Sequence, residues 1–586
     1  MTPCGSHRLL IVLLLLAVPT RVLAAAPSSA TPETTSTRAA RPFDTAPSGP
    51  SPRTVLTDSL AVFVVPQVPK PAYLAPFADP TFGSTVERVG NNVGASTAPL
   101  PGTWGSDARH VYSKQQPWNS NSTLLTIENE GGGSPTPMIL DGTTFLPRYA
   151  PCPDYDLYDY RWHPSPSHPH EQINVNGAGR ELMWFDVTIC TKTRSWALPI
   201  TVDYGIGSAE GNPSNDGRFV ALGNNTAMFV VDMDPQPPYA AYPSVRIGPV
   251  YTFPPESLNA SAPGSWTIDN LMISSSGRYV DVKFGSADDC GTYDFHRVFE
   301  VDPGTLALKP HNMATSSLRC CVFQSRPNGW IFPLKHADMA SDPFDNNEDV
   351  IVGGNSCEAS ALGKVLKVRL RDGAVTQLTS GIDESSVYHV STRNLDRPGW
   401  AYVSWFKEDG RRFSDEIIAV KLDGSQSVER LCHVHSAYDG CYRCEAHPVP
   451  SRDGTRVLFA SNWAQDCGPG CGSSADIKDY IVADAAAGGG GNLPPPGAFR
   501  LAVEEIRPNP TRAAPLIFYS LSSWAPARIE LVDVAGRIVV QRDLGSPGPG
   551  RHALLLDPKE GTRTGIYIIR LTQAGESVSS KLVLRH

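Results

Sequence analysis

The sequence predicts an all-β protein, and three observations carry that prediction. Between residues 60 and 485 a helical period is nearly absent, while short alternating apolar runs recur throughout. Gly, Pro, Asp and Asn punctuate those runs at turn spacing, the chain holding 50 Gly and 53 Pro. One theme also returns every 45 to 60 residues or so: a polar residue, about six residues, an Asp-Gly-like turn, then an apolar strand.

The copies can be taken in order. Gln115 precedes Asn121 and the run Leu124-Leu125-Thr126-Ile127, and Glu210 precedes Asp216-Gly217 and Phe219-Val220-Ala221-Leu222. Asn270 precedes Ser276-Gly277, and His447 precedes Asp453-Gly454. Looser copies stand at Arg161-Trp162-His163, at Lys335-His336-Ala337-Asp338 and at Tyr388-His389, making about seven units. A twisted antiparallel sheet of that length cannot bury both faces alone, whereas a closed ring of such sheets can. Residues 59–484 are therefore expected to form a seven-bladed β-propeller, the alternative being an array of β-sandwiches. Residues 71–88 offer a strand to close the ring.

The flanks differ in composition. Residues 1–24 place His7 and Arg8 before an apolar run at 9–18 and end in Val22-Leu23-Ala24, the pattern of a secretory signal. About ten apolar residues are too few to span a bilayer, so no transmembrane segment is expected in the mature chain. Residues 25–58, rich in Pro, Ser, Thr and Ala, read as a disordered linker. Residues 485–499 read as a Gly/Pro-rich hinge, and 500–586 as a small Ig-like β-sandwich of alternating strands. The formal net charge of -9 and the lack of a basic stripe argue against nucleic acid as a partner. Export implies disulfides; loss of the signal leaves an odd number of the 12 cysteines, among which Cys441/Cys444, Cys467/Cys471 and Cys320-Cys321 stand out.

In each copy the polar residue falls where an innermost strand would meet the ring axis. Going round, these are Gln115, Arg161 or His163, Glu210, Asn270, His336, His389 and His447, with histidine in three successive units. Polar residues line any wet axial channel. Three imidazoles at spacings of 53 and 58 residues are also a set that can ligate a metal or move a proton near neutral pH. Cys444, three residues before His447, can complete a zinc-type set or be in a disulfide. The aromatic and basic stretch around Arg161 and His163 suits sugar rings and carboxylates. Trp118, Trp330, Trp405 and Trp463 are expected in the core between blades. No nucleophile elbow, Walker loop, HExxH or EF-hand loop occurs.

On these residues the region 70–485 resembles the seven-bladed propellers of oligogalacturonate lyases and, more distantly, ulvan lyases. The resemblance implies a catalytic histidine at His336, a first metal ligand at His389 and another at His447. Where that family carries Gln-x-x-His-x-His, this chain reads Cys444-Glu445-Ala446-His447-Pro448-Val449, so Cys444 stands for the Gln and Val449 for the second His. Arg393 and Arg161 are the candidates for its charge-neutralising arginine, and the implied cofactor is a divalent metal, zinc or manganese. The tail is similar to the C-terminal sorting domain of type IX secretion substrates, related to the Ig-like module of flagellar hook-cap proteins. It matches in Arg507-Pro508-Asn509-Pro510, in Asp533-Val534-Ala535-Gly536-Arg537, in Gly565-Ile566-Tyr567 and in the basic ending.

Together these imply a protein secreted by, or held on the surface of, a Gram-negative bacterium and engaging type IX secretion machinery. Two functions follow as expectations: a polysaccharide lyase acting on acidic polysaccharide by β-elimination, with Gln115, His163, Glu210 and Asn270 contacting substrate, or a non-catalytic surface propeller that binds glycan or protein.

Overall fold

The computed structural model describes residues 56–585 apart from 154–159, 207–209, 254–266, 289–290, 312–329, 357–361, 439, 484–500, 508, 512–514, 523–524, 546–549 and 557–562. The expected signal, nearly all of the expected linker, the hinge and Cys320-Cys321 lie outside these residues.

Strands dominate, and they form small antiparallel sheets taken up in chain order. The first runs through Asp107–Arg109, Leu124–Glu130, Met138–Asp141 and Pro147–Tyr149, and the second through Arg161–Trp162, Glu171–Val175, Glu181–Asp186 and Thr191–Ala197. The third is built on Phe219–Gly223 and Ala227–Asp232, the fourth on Thr267–Ile273, Tyr279–Asp288 and Gly291–Val301. The fifth comprises Leu334–Asp342, Glu348–Asn355, Val365–Arg369 and Val375–Gln377. Val387–Ser391, Trp400–Trp405, Glu416–Lys421 and Val428–His433 make the sixth.

The last sheet closes the circuit. Val449–Pro450, Arg456–Ser461 and Ile477–Ala483 take their next strand from the other end of the chain, Thr85–Arg88 lying antiparallel to Ile477–Ala483. The segment expected to close the ring does so. Asp107–Arg109 of the first sheet also pairs, in parallel, with that same strand. The buried apolar clusters retrace the circuit. Trp184 packs with Val220 between the second and third sheets, Val282 with Ile351 between the fourth and fifth, and Val403 with Val352 between the fifth and sixth. Tyr402 packs with Phe459 between the sixth and the last, Leu458 with Leu125 between the last and the first, and Ile139 with Trp162 between the first and second. Each sheet buries both faces against its two neighbours, as a β-propeller does. Trp118, Trp405 and Trp463 sit in these layers, at most 1% exposed.

The Asp-Gly turns have a local reason. Gly454 holds φ at 67°, and a Cβ there would meet the Tyr402 hydroxyl at 2.6 Å, so a larger residue fits neither the dihedral nor the space. Asp453 caps that turn by accepting from the Thr455 amide and the Ser451 hydroxyl.

Residues 56–70 add a feature absent from the sequence reading, which placed the linker through residue 58. Leu56 bridges Arg430, Asp58 is buried, and the indole of Trp463 donates to the carbonyl of Val68. The C-terminal residues form two further sheets, of three and four strands, around a core that includes Ile517, Leu531, Ile569 and Leu582.

Candidate functional site

At one end of the ring axis, side chains from sheets far apart in sequence converge. The rings of His336 and His389 lie with centroids 4.2 Å apart, and those of His389 and His447 are stacked at 3.9 Å. The Tyr112 hydroxyl lies 3.0 Å from His336 Nδ1, and its ring contacts both other imidazoles edge-on.

The backbone explains the convergence. The opening strands of the fourth, fifth and sixth sheets each carry a register shift at the axial end: between Ile268 and Asn270, Lys335 and Asp338, and Val387 and Val390. Such a bulge inserts a residue and re-aims its neighbours. His336 and His447 also hold left-handed φ values of 49° and 45°, as does Glu210 at 59°. Non-glycine residues occupy that region at a conformational cost that the surrounding packing must sustain.

His389, Glu445 and His447 offer ligand atoms all within 4.8 Å of one another, and all three are buried. Glu445 Oε2 is 3.4 Å from His389 Nε2 and 3.6 Å from His447 Nε2. Both ring nitrogens of His389, Nδ1 of His447 and Oε2 of Glu445 have no hydrogen-bond partner. Burial, reinforced by the other cations around them, holds both histidines well below the usual imidazole range, so they are neutral donors. Burial pushes the Glu445 carboxyl up to about 7 against the opposing hydrogen bond donated by Tyr388, 2.6 Å from Oε1.

Cys444 requires a correction. Its sulfur is bonded to that of Cys441, so it has no thiolate to give, and the adjacent Glu445 carboxylate occupies the place expected of it. Cys467 pairs with Cys471 and Cys152 with Cys190, leaving Cys432 as the free, buried thiol among the described residues.

The other expected residues divide. Glu210 and Asn270 meet, Asn270 Nδ2 donating to Glu210 Oε2 at 3.3 Å, and the same oxygen takes a 2.6 Å bond from Lys114. Gln115 donates to the Tyr160 carbonyl and Arg161 to those of Gly211 and Tyr160. Arg393 grips Asp338 through two bonds, 2.8 and 2.9 Å. Arg161, His163 and Arg393 line a pocket with Trp118, Asn212 and Arg452 that includes none of His336, His389 and His447. There burial drives the His163 imidazole down to about 3. The sequence reading passed over Tyr112, Lys114, Tyr388 and Glu445. Glu445 alone left a signal, a carboxylate two positions before His447.

The fold is thus a β-propeller-like ring with a histidine and carboxylate cluster on its axis. No family model matches the chain, and no curated protein does. Solved structures similar to it include an oligogalacturonate lyase in complex with manganese, at 12% identity and TM-score 0.40 over 71% of this chain and 98% of that one. Another is the β-propeller domain of Cps50 (Swd1) from Myceliophthora thermophila, at 11% identity and TM-score 0.33 over 64% and 98%. A third is the hydrazine synthase of Kuenenia stuttgartiensis, at 10% and 0.31 over 63% and 96%.

Proposed function

We propose that this chain is an exported seven-bladed β-propeller lyase that cleaves uronic-acid glycans by β-elimination, with a C-terminal Ig-like sorting module for type IX secretion. The observation that carries the enzymatic reading is the juxtaposition of the His336–Tyr112 pair with His389, Glu445 and His447, where both His389 nitrogens, His447 Nδ1 and Glu445 Oε2 are buried without hydrogen-bond partners.

Those orphaned atoms fit a divalent cation, because buried neutral imidazole nitrogens and a carboxylate left unsatisfied are costly and are the donor types such a cation takes. The absence of a thiolate makes manganese as suitable as zinc. When bound, such a cation supplies positive charge beside the substrate's C6 carboxylate, which makes the neighbouring C5 proton more acidic.

The chain's own groups do the rest. With its Nδ1 hydrogen directed at the Tyr112 oxygen, His336 presents Nε2 to take the C5 proton. The electron pair forms the C4–C5 double bond as the C4–oxygen bond breaks, the departing oxygen takes a proton from water, and His336 returns the C5 proton to solvent to complete the cycle. Burial keeps the Tyr112 hydroxyl protonated, its pKa well above the usual tyrosine range, so it orients the imidazole without competing as a base. Lys114, held on Glu210, adds positive potential at His389.

Screening pectic, alginate and ulvan fragments, with manganese or zinc supplied, for the ultraviolet absorbance of an unsaturated product tests the reading. An undiminished signal from His336→Ala would remove it. A non-catalytic propeller that binds glycan or protein is the second reading, and the complete burial of His389 and His447 favours it.

A further inference from the structure

Two buried Asp–His pairs stand behind the site, each built in the same way. His110 Nδ1 lies 2.7 Å from Asp479 Oδ1 and its Nε2 lies 2.6 Å from the backbone carbonyl of His447. The His110 amide donates to the second Asp479 oxygen at 2.6 Å. In the fourth sheet, His296 Nδ1 lies 2.7 Å from Asp281 Oδ2 and its Nε2 lies 2.8 Å from the carbonyl of Leu334. All four side chains are at most 1% exposed.

Each imidazole therefore spans from an aspartate carboxyl group to a backbone carbonyl, one ring nitrogen on each. Such a bridge is rigid and out of reach of water. The carbonyls chosen are not arbitrary. One belongs to His447 itself, and the other to Leu334, two residues before His336. Those two histidines hold the left-handed φ values of 45° and 49°, conformations that persist only where the surroundings enforce them.

We infer that the two pairs are positioning devices with divided duties: Asp479–His110 fixes His447 and the cation-binding half of the site, while Asp281–His296 fixes His336 and the proton-abstracting half. The division follows from connectivity. His110 and Asp479 come from the first and last sheets and reach the site at the His447 carbonyl, whereas His296 and Asp281 lie within the fourth sheet and reach across to the Leu334 carbonyl of the fifth. The inference rests on His336 and His447 being working groups of one site, yet it concerns where their rings stand, not what they turn over.

The test reads ring positions in the full chain. With histidine labelled in the imidazole and each signal assigned by substitution, His110→Gln is expected to move the His447 resonances and leave those of His336 in place. His296→Gln is expected to do the reverse. Titration with cobalt(II), whose visible absorption reports its ligands, should show affinity falling about 10- to 100-fold in His110→Gln and by less than about twofold in His296→Gln, the range for lost outer-shell support. Asp479→Asn and Asp281→Asn, which keep volume and one acceptor, repeat the comparison if a glutamine variant does not fold.

Signals of both histidines moving together, or neither moving, overturns the division of duties. So does failure of all four variants to fold, which would assign the pairs to the fold alone. Cobalt binding without lyase activity would sink the proposed reaction and leave this inference standing. If the wild type takes up no cobalt, the resonances alone decide.

Discussion

The imidazoles of His389 and His447 stack face to face across two sheets, their centroids 3.9 Å apart and their planes 24° from parallel. Two such rings in a fully buried space cannot both carry a proton, since each charge would face the other without water to screen it. With Glu445 Oε2 beside both, the arrangement gathers buried lone pairs that have no hydrogen-bond partner. Cation binding is the expected consequence. One equivalent of manganese or zinc should raise the melting temperature, corresponding to about 2.7 kcal/mol at a hundredfold excess over Kd. Calorimetry on His389→Ala and His447→Ala should show the binding heat gone, while an unchanged stoichiometry in both would place the cation elsewhere.

Tyr388 gives a second, finer outcome. Its hydroxyl holds Glu445 Oε1 at 2.6 Å and leaves Oε2 turned toward the histidines. Tyr388→Phe removes the bond but keeps the ring that stacks on His389 and Phe406. Metal affinity should fall about 10- to 100-fold with little loss of stability, as for other outer-shell partners of a ligand. Affinity within twofold of wild type would mean that Glu445 is oriented by something else.

How much of this was legible beforehand depends on what each residue does. The ring could be read because turn chemistry and alternation repeat, and residues 71–88 could be offered as its closing strand, of which Thr85–Arg88 pairs with Ile477–Ala483. His336, His389 and His447 could be grouped because each stands at the same place in its repeat. The same rule placed Gln115 and Arg161 beside them, whereas these spend their donors on backbone carbonyls. Spacing counts residues and does not see the bulges that re-aim side chains in the fourth to sixth sheets. Tyr112 and Tyr388 were missed because their role comes from pairing with residues 224 and 57 positions away.

Stability should depend on pH through a cluster remote from the axis, where the closing segment meets the sixth sheet. His433 Nδ1 lies 3.6 Å from Asp79 Oδ2, and Asp79 also accepts from the His433 amide. Burial lowers the His433 pKa, but the neighbouring Asp79 carboxylate, with Glu416 and Asp415 adding to it, outweighs burial and leaves it raised. Burial likewise raises Asp79, and His433 outweighs that to leave it lowered. Burial carries the nearby Asp415 up to about 7, and His435, desolvated and beside His433, falls to about 4. The raised His433 stabilises fully below its unfolded value of 6.5, and that contribution is lost as pH rises through the folded value. Asp415 works in the same direction, since ionising it in the fold becomes costly as pH climbs from about 4 through 7. Asp79 acts oppositely, its contribution lost as pH falls below the ordinary value of 3.8. His435 opposes Asp415 over that range, because a folded value of about 4 against 6.5 unfolded makes stability rise as pH climbs from about 4 to 6.5. The melting temperature should therefore be highest between about pH 4 and 6.5 and decline on the alkaline side, where the His433 contribution is lost. His433→Gln should flatten that decline, and a slope unaltered by the substitution would rule the cluster out as its source.

Arg430 and Glu416 set the last expectation. Both side chains are wholly buried, and the guanidinium meets the carboxylate through two bonds, one of them 2.7 Å from Nε. The same guanidinium donates to the carbonyls of Asp58 and Ala61, and the Arg430 amide donates to that of Leu56. It thus ties the N-terminal strap to the outer strand of the sixth sheet while neutralising a buried acid. Arg430→Met leaves Glu416 ionised or forces it to protonate in an apolar setting, and it should cost roughly 3–5 kcal/mol in urea unfolding. Arg430→Met with Glu416→Leu removes both charges and should recover much of that loss, because a well-packed apolar pair replaces a desolvated ionic one. The strap distinguishes the two roles. The Asp58 and Ala61 carbonyls lose their donor in either variant, while Leu56 keeps the backbone amide of residue 430, so limited proteolysis near residues 58–61 should speed up in both, even where global stability returns. A double variant as protease-resistant as wild type would show that the strap is held by its apolar contacts, such as Phe63 against Phe82, and not by the arginine.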